Sequence, residues 1–318
     1  MGVHEVALPA RMAKMMERAR ALAPLPMAVV DAGEEHVLAG AHEAAEAGLI
    51  TPTLIGRGKE IRRLSSKLGI ASDAYPVLEA QSDRGSAEMA VQQVLDGKAA
   101  GLMKGWIHTD VLMHPVLERL RTARRVSHVF VVELASYQRL LLVTDAAINI
   151  VPDLLTKAAI VQNAVDLARL LGIRRPKVAA LSAVEVVKPA IASTVDAACL
   201  SKMAQRGQIR HAIVDGPLAF DNAISKDAAK TKHIKSEVAG EVDILLAPDL
   251  NAGNILAKDL EYLAGATMAG VVVGARVPIV LPSRSDPPVA RLISAAIAVL
   301  VHHHWPVDAE PSGAAQRR

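Results

Sequence analysis

Short runs rich in β-branched residues alternate with longer stretches of helical periodicity along almost the whole chain, and this alternation leaves few folds open. Pro26–Asp31 (PMAVVD), Pro52–Gly56, Ala99–Met103 and His128–Glu133 read as strands. So do Leu140–Thr144, Val178–Ser182, His211–Asp215, Val242–Ala247, Gly270–Val273 and Val277–Leu281. Most are separated by enough helical sequence to give the rhythm of a parallel α/β sheet. The close pair flanking Ser136–Arg139 predicts a hairpin or a crossing between domains. Between strands, Leu154, Ala158, Val161, Val165 and Ala168 make one apolar stripe, with Asp153 placed to cap the helix and Gly172 to stop it. Glu34–Ala47 and Ser86–Leu95 are similar, and Leu292–Val301, apolar nearly all round, predicts a buried helix. Ten strands exceed what one sheet comfortably holds, so two α/β domains are expected. The first takes residues 1–135 plus 275–305 and the second 136–274, with the Pro- and charge-rich tail 306–318 expected to be disordered.

Composition excludes several classes. The net charge is only +3, too small for a polycation built to hold nucleic acid, and seven aromatics (two Phe, two Trp, three Tyr) cannot build a base-stacking platform. Cys199 is the sole cysteine, which rules out an internal disulfide and any cysteine-based zinc site within one chain. The longest nearly apolar stretch, Ala264–Leu281, is broken by Arg276, Pro278 and three glycines and reads as two buried strands rather than a membrane span. The N-terminus has charges throughout and no apolar core of a secretory signal, so a soluble cytoplasmic protein, with no membrane partner, is expected.

In open α/β sheets ligands bind beyond the carboxyl ends of strands, and polar residues gather at four such ends here. They are Thr144-Asp145, Asp215-Gly216-Pro217, the segment PDLNAGN with Asp249, Asn251 and Asn254, and Ser283-Arg284-Ser285-Asp286. Asp145, Asp215 and Asp249 could each simply cap the following helix; it is the set of four that points to a site. Lys104, just after a strand, could meet a phosphate. Arg121, Arg124 and Arg125 stand before the strand that begins near His128. Lys226, Lys230, Lys232 and Lys235 form either a solvated helix face or a grip on an anionic tail. There is no Walker A sequence, no HExxH and no G-x-S-x-G, and neither His302–His304 nor the pair His108 and His114 has metal-ligand spacing.

Taken in order, LLLVTDAAINIVPD, KVAALSAVE, IVDGPLAFDNAIS, SEVAGEVDILLAPDLNAGN and GARVPIVLPSRSD resemble the phosphate acetyltransferase/phosphate butyryltransferase family, from about Pro26 to Val301. The passage Val178–Asp221 is similar to the transferase half of bifunctional enoyl-CoA hydratase/phosphate acetyltransferase proteins. The segments GLMKG and LRT…SHV look more like the butyryltransferase branch.

The resemblance implies two α/β domains with a cleft between them, of the isocitrate/isopropylmalate dehydrogenase type, and a homodimer. It implies the reaction acyl-CoA + phosphate ⇌ acyl phosphate + CoA, with no metal, no tightly bound cofactor and coenzyme A as substrate. Ser283 and Arg284 then bind phosphate and stabilise the transition state. The acetyltransferases use an Asp six residues beyond that Arg as base for the thiol, and Ala290 stands there, so Asp286 is the candidate substitute, with Asp145, Asp249 or a bound water as the alternatives. Arg121, Lys104, Asp145, Asp249, Asn251 and Asn254 are candidates for holding substrate, and Lys235 for holding the CoA tail. Cys199 lies in a helical pattern away from these ends, which argues against a covalent acyl-enzyme. Two other readings compete: a non-catalytic acyl-CoA or acyl-phosphate binder that has lost the base, and an NAD(P)-dependent dehydrogenase on the same fold.

Overall fold

The computed structural model describes residues 8–305, so the expectation for the tail 306–318 lies outside the described residues. The strands are β1 (Leu25–Val30), β2 (Ile50–Gly56), β3 (Val77–Glu79), β4 (Gly101–Lys104), β5 (Ser127–Leu134), β6 (Tyr137–Thr144), β7 (Lys177–Leu181), β8 (Ile213–Leu218), β9 (Ile244–Leu246), β10 (Thr267–Val273) and β11 (Ile279–Val280). The helices are α1 (Ala10–Arg20), α2 (Glu35–Glu46), α3 (Gly58–Leu68), α4 (Asp83–Leu95), α5 (Thr109–Arg119), α6 (Leu154–Leu170), α7 (Ala192–Gln205), α8 (Phe220–Ile224), α9 (Lys226–Thr231), α10 (Leu250–Tyr262) and α11 (Pro288–His304). None of the described helices is long and apolar enough to cross a membrane.

The mixed α/β class follows from the alternation, and the local signals act as expected. The Asp153 carboxylate accepts from Thr156 N at 2.7 Å to start α6, and Gly172 takes φ +107° just beyond its end. α11 is buried on nearly every side. The pair flanking Ser136 is a hairpin, β5 antiparallel to β6. β3 is an additional strand, a three-residue edge too short to show periodicity.

The strands do not divide between two sheets. All eleven form one, in the order β3-β2-β1-β4-β11-β10-β5-β6-β9-β7-β8. One sheet holds them because three antiparallel pairings, β11–β10, β10–β5 and β5–β6, weld two parallel groups edge to edge. The pairings also reverse direction. β4 and β11 run one way, whereas β6, β9, β7 and β8 run the other. The four polar segments therefore do not lie on one edge of the sheet: Ser283–Asp286 leaves at one end, beside Lys104, Asp145 and Asp249 leave at the other, and Asp215-Gly216-Pro217 lies within β8 rather than at its end.

The core differs between the two faces of the sheet. On one face α1, α2, α3, α6, α7 and α11 bury a single continuous core with the sheet. On the opposite face the core is split. Leu112 and Val116 of α5 and Val91 of α4 pack on Leu102 and Ile279, while Ala257 and Leu260 of α10 pack with Leu141 and Leu245 of the other half. Between these two clusters a cleft opens over β5 and β10.

Candidate active site

The cleft encloses about 410 Å³, enough for the reacting end of a small ligand. Its floor is His128 and Phe130 of β5 and Met268 of β10. α10 runs along one wall. Leu250, Asn254, Ala257, Lys258 and Glu261 share one helical face and line it from end to end, so this helix spans the distance between the opposed strand ends. At the end of α10 the Tyr262 hydroxyl donates to Ser285 Oγ at 3.0 Å.

The cleft is cationic at this end. Lys104, the last residue of β4, is 6% exposed and donates from Nζ to the carbonyls of Gly105 and Pro282 at 3.4 and 3.3 Å. Burial lowers its pKa and the charge of Arg284 adds to this, with Asp286 opposing. The chain can turn here because residue 105 is glycine: a Cβ would come 2.3 Å from the Asp31 carbonyl oxygen and 2.4 Å from that of Val30. The Arg284 guanidinium lies exposed over the Trp106 ring, 4.0 Å from its centre. The loop bearing it is folded by Asp286, whose Oδ2 accepts from Ser283 N at 2.8 Å, and Ser283 Oγ meets Ser285 Oγ at 3.1 Å. Burial raises the Asp286 pKa, while the Ser283 N–H and the cations Arg291, Lys258 and Lys104 pull it back. A carboxylate that holds its proton more tightly than a solvated one, next to three cations, is suited to take a proton and give it up again.

Arg291 completes the cluster and was not foreseen. It sits in α11, 7% exposed, and donates to the carbonyls of His36 at 3.2 Å and Ser283 at 3.3 Å. With Lys104, Trp106 and Arg284 it bounds a hollow of about 10 Å³ beside the cleft. The signal was there: Arg291 is the one charge in an otherwise apolar run, and a guanidinium is rarely buried without a partner to hold. Its neighbour Ala290, at the position where the acetyltransferases carry their base, is 4% exposed inside α11, and Asp286 lies just before that helix begins.

The cleft thus brings together Lys104, Ser283, Arg284, Asp286 and Asn254, the last donating to the Ala146 carbonyl at 3.2 Å. It does not bring in the others. Asp145 is buried and turned into its own loop, its carboxylate accepting from the backbone N–H groups of Ala147 and Ile148 at 2.9 and 3.1 Å and from Asn149 Nδ2 at 2.6 Å. Asp249 caps α10, accepting from Ala252 N at 2.9 Å, as the capping alternative had it, whereas Asp145 caps no helix and instead holds the loop that follows β6. Asn251 is exposed in the first turn of α10, away from the lining face. Arg121 is exposed in a separate cavity with Arg124 and Arg125, beyond the amino end of β5. Lys235 is exposed too, and of its neighbours Lys226 pairs with Glu241 and Lys232 with Glu185 and Asp221, as a solvated face does. Cys199 is half-buried in α7 and lines no part of the cleft. Among the described residues no three His, Cys, Asp or Glu side chains group as metal ligands.

These features define an α/β protein with a cationic cluster at one end of a cleft and a mostly apolar floor beside it, the outline of a group-transfer enzyme acting on a phosphorylated or phosphate-accepting substrate. The chain belongs to the phosphate acetyl/butaryl transferase family, whose model matches residues 79–299. It is 48% identical over 297 residues to a phosphate acetyltransferase of Rhizobium meliloti, covering 92% of this chain and 94% of that one. It is 41% identical over 278 residues to a phosphate butyryltransferase of Clostridium acetobutylicum, covering 86% and 92%. Among solved structures, a branched-chain phosphotransacylase from Enterococcus faecalis superposes with a TM-score of 0.75 at 30% identity, over 88% of this chain and 100% of that one.

Proposed function

We propose that this protein transfers a short-chain acyl group reversibly between coenzyme A and inorganic phosphate. The observation that carries this reading is the convergence of Lys104, Arg284 and Arg291 with Asp286 at one end of a cleft whose floor, His128 apart, is apolar. Family membership supports it, and the same relatives make both acetyl and butyryl groups reasonable cargo.

In the direction of acyl-CoA synthesis, Asp286 takes the proton of the CoA thiol. The thiolate attacks the acyl carbonyl, and the bond from carbon to the phosphate oxygen breaks. Arg284 meets two oxygens of the departing phosphate with its paired N–H groups, and Lys104 adds a compact charge. In the reverse direction phosphate attacks, the thiolate leaves and Asp286 returns the proton. The acyl chain rests on Phe130, Met268 and Leu281, an apolar wall that an acetyl group alone would not fill. Coenzyme A enters as a substrate, and no resident cofactor is part of the scheme.

We take residues 1–135 plus 275–305 and 136–274 as the two working halves, since the split core meets at the cleft. We take a cytoplasmic homodimer as the working form. Exposed Ile150, Val151 and Leu155 offer an apolar face for a second copy.

The test is phosphate- or arsenate-dependent consumption of acyl-CoA by chelator-treated protein, with a panel from acetyl- to hexanoyl-CoA. Propionyl- and butyryl-CoA should serve at least as well as acetyl-CoA, with a graded preference, because one methylene is worth about 1–3 kcal/mol in an apolar pocket. Strict acetyl selectivity would refute the acyl-wall assignment. Activity lost on chelation and restored by a divalent ion would refute the metal-free scheme. Binding of acyl-CoA without turnover would leave a non-catalytic binder, and NAD(P) reduction would establish a dehydrogenase.

A further inference from the structure

The floor of the cleft contains a polar group that the scheme above does not use. His128 sits among the valines of a mostly apolar strand, and it is 1% exposed. Its Nδ1 finds no hydrogen-bond partner in the protein. The only other such buried side-chain atoms among the described residues belong to Asn222, which does not line the cleft. A valine, like those at 129, 131 and 132, would fit the strand without the cost of an orphaned nitrogen.

The ring is also held in place. It packs edge-to-face on Phe130 with centroids 4.3 Å apart. On β10, Gly270 leaves room for it: a Cβ at Gly270 would come 2.6 Å from His128 Nε2. The Asp145 carboxylate attracts a proton to the ring, but its oxygens are taken up by the N–H groups of its own loop. Burial outweighs that attraction and lowers the pKa of the ring, so His128 is neutral near pH 7, with one N–H to donate and one nitrogen to accept.

We infer that His128 is a hydrogen-bond donor to the acyl carbonyl, polarising it for attack. This deepens the proposed phosphate acyltransfer and rests on it. When phosphate oxygen bonds to the carbonyl carbon, the carbonyl π pair moves onto its oxygen, and it returns as the carbon–sulfur bond breaks and the thiolate leaves. The imidazole N–H hydrogen-bonds that oxygen throughout and keeps its proton. A neutral donor suits this step, since an imidazolium beside a nascent thiolate would protonate it, whereas a neutral imidazole N–H is far too weak an acid to do so. The cations at the far end of the cleft are then left to the phosphate. A preorganised donor in a site shielded from water is the kind of group whose loss costs about 10²–10³ in rate.

The experiment compares the intact protein with His128→Phe, His128→Gln and Gly270→Ala. Steady-state kinetics are measured with butyryl-CoA and phosphate, and the carbonyl stretch of bound butyryl-CoA is read by infrared difference spectroscopy without phosphate. His128→Phe should fold at least as stably as the parent and lose about 10²-fold in kcat, with KM for butyryl-CoA changed by no more than a few-fold. His128→Gln, which keeps an N–H, should recover roughly tenfold of that loss. Gly270→Ala, which displaces the ring without removing it, should lower kcat as well. The carbonyl band should lie below its solution frequency in the parent protein and return to it in His128→Phe, a change that a merely structural role would not produce. Should His128→Phe not fold, the parent's carbonyl shift and the His128→Gln kinetics decide alone. An active parent with an unshifted carbonyl, or variants that keep full kcat, would overturn the inference and leave the proposed function standing. A parent that consumes no acyl-CoA with phosphate would overturn the function itself.

Discussion

Replacing Arg284 with alanine separates catalysis from folding more cleanly than any other change in the cleft. The side chain is exposed, and its ring contact is the stack on Trp106 at 4.0 Å. At an exposed site that contact is worth about 0.5–1 kcal/mol, so Tm should fall by no more than roughly 3 °C. The kinetic effect should be larger. If the guanidinium meets the phosphate as its bond to carbon forms or breaks, Arg284→Ala removes about 2.7–4 kcal/mol of transition-state stabilisation, or 10²–10³ in kcat. Part of this could be offset, because the charge of Arg284 helps to lower the Lys104 pKa and its removal lets Lys104 hold its proton more firmly. Arg284→Lys should stay well below the parent, since an ammonium can neither fork onto two oxygens nor stack flat on the indole. The assay is kcat and KM for each substrate of phosphate-dependent acyl-CoA turnover, with thermal unfolding in parallel. Full turnover by Arg284→Ala would refute the assignment of the phosphate end. A Tm loss of ten degrees or more would refute the claim that the side chain is structurally dispensable.

Asp286→Asn keeps the acceptor for Ser283 N and should leave the loop intact while abolishing the base. Because burial raises the Asp286 pKa, the parent's rate should climb with pH through a value above the usual aspartate range. The variant should be slower throughout and lack that acid limb, and an unchanged limb would move the base elsewhere. Gly105→Ala should destabilise the fold by about 2–3 kcal/mol in urea titration, because the added Cβ meets backbone carbonyls of β1 that cannot move aside; parental stability would show that the turn is not so confined. Burial pushes the His128 pKa from 6.5 down to about 4. Between those values the unfolded chain binds the extra proton, so stability is intact above about pH 6.5 and falls as pH drops toward 4, by order of 3 kcal/mol. His128→Phe should flatten that part of the stability–pH curve, and an equal slope in both proteins would mean that His128 is not buried neutral.

Much of this protein is decided locally and can be read from its residues in order. The alternation of β-branched runs with helical stripes sets the α/β class. Asp153 and Gly172 set the ends of α6, and the unbroken apolar run after Leu292 requires a helix covered on all sides, as α11 is. Ser283-Arg284 follows a buried strand directly, so its exposure at a strand end is also a local matter. The rest depends on partners distant in sequence. Strand direction is set by pairings such as β10 with β5, whose residues lie far apart along the chain, and no local pattern distinguishes a parallel neighbour from an antiparallel one. The polar strand ends therefore look equivalent in the sequence, whereas the fold turns Asp145 into its own loop and Asp249 to capping α10, and sends Lys104, Ser283, Arg284 and Asp286 to the opposite end. Arg291 joins them only because α11 carries it against the carbonyl of His36, 255 positions away. His128 becomes a neutral group on the cleft floor only because Gly270 of another strand makes room for its ring and burial outweighs the attraction of Asp145. Burial and proximity are properties of the whole fold, and they turn a dispersed set of ordinary side chains into one site.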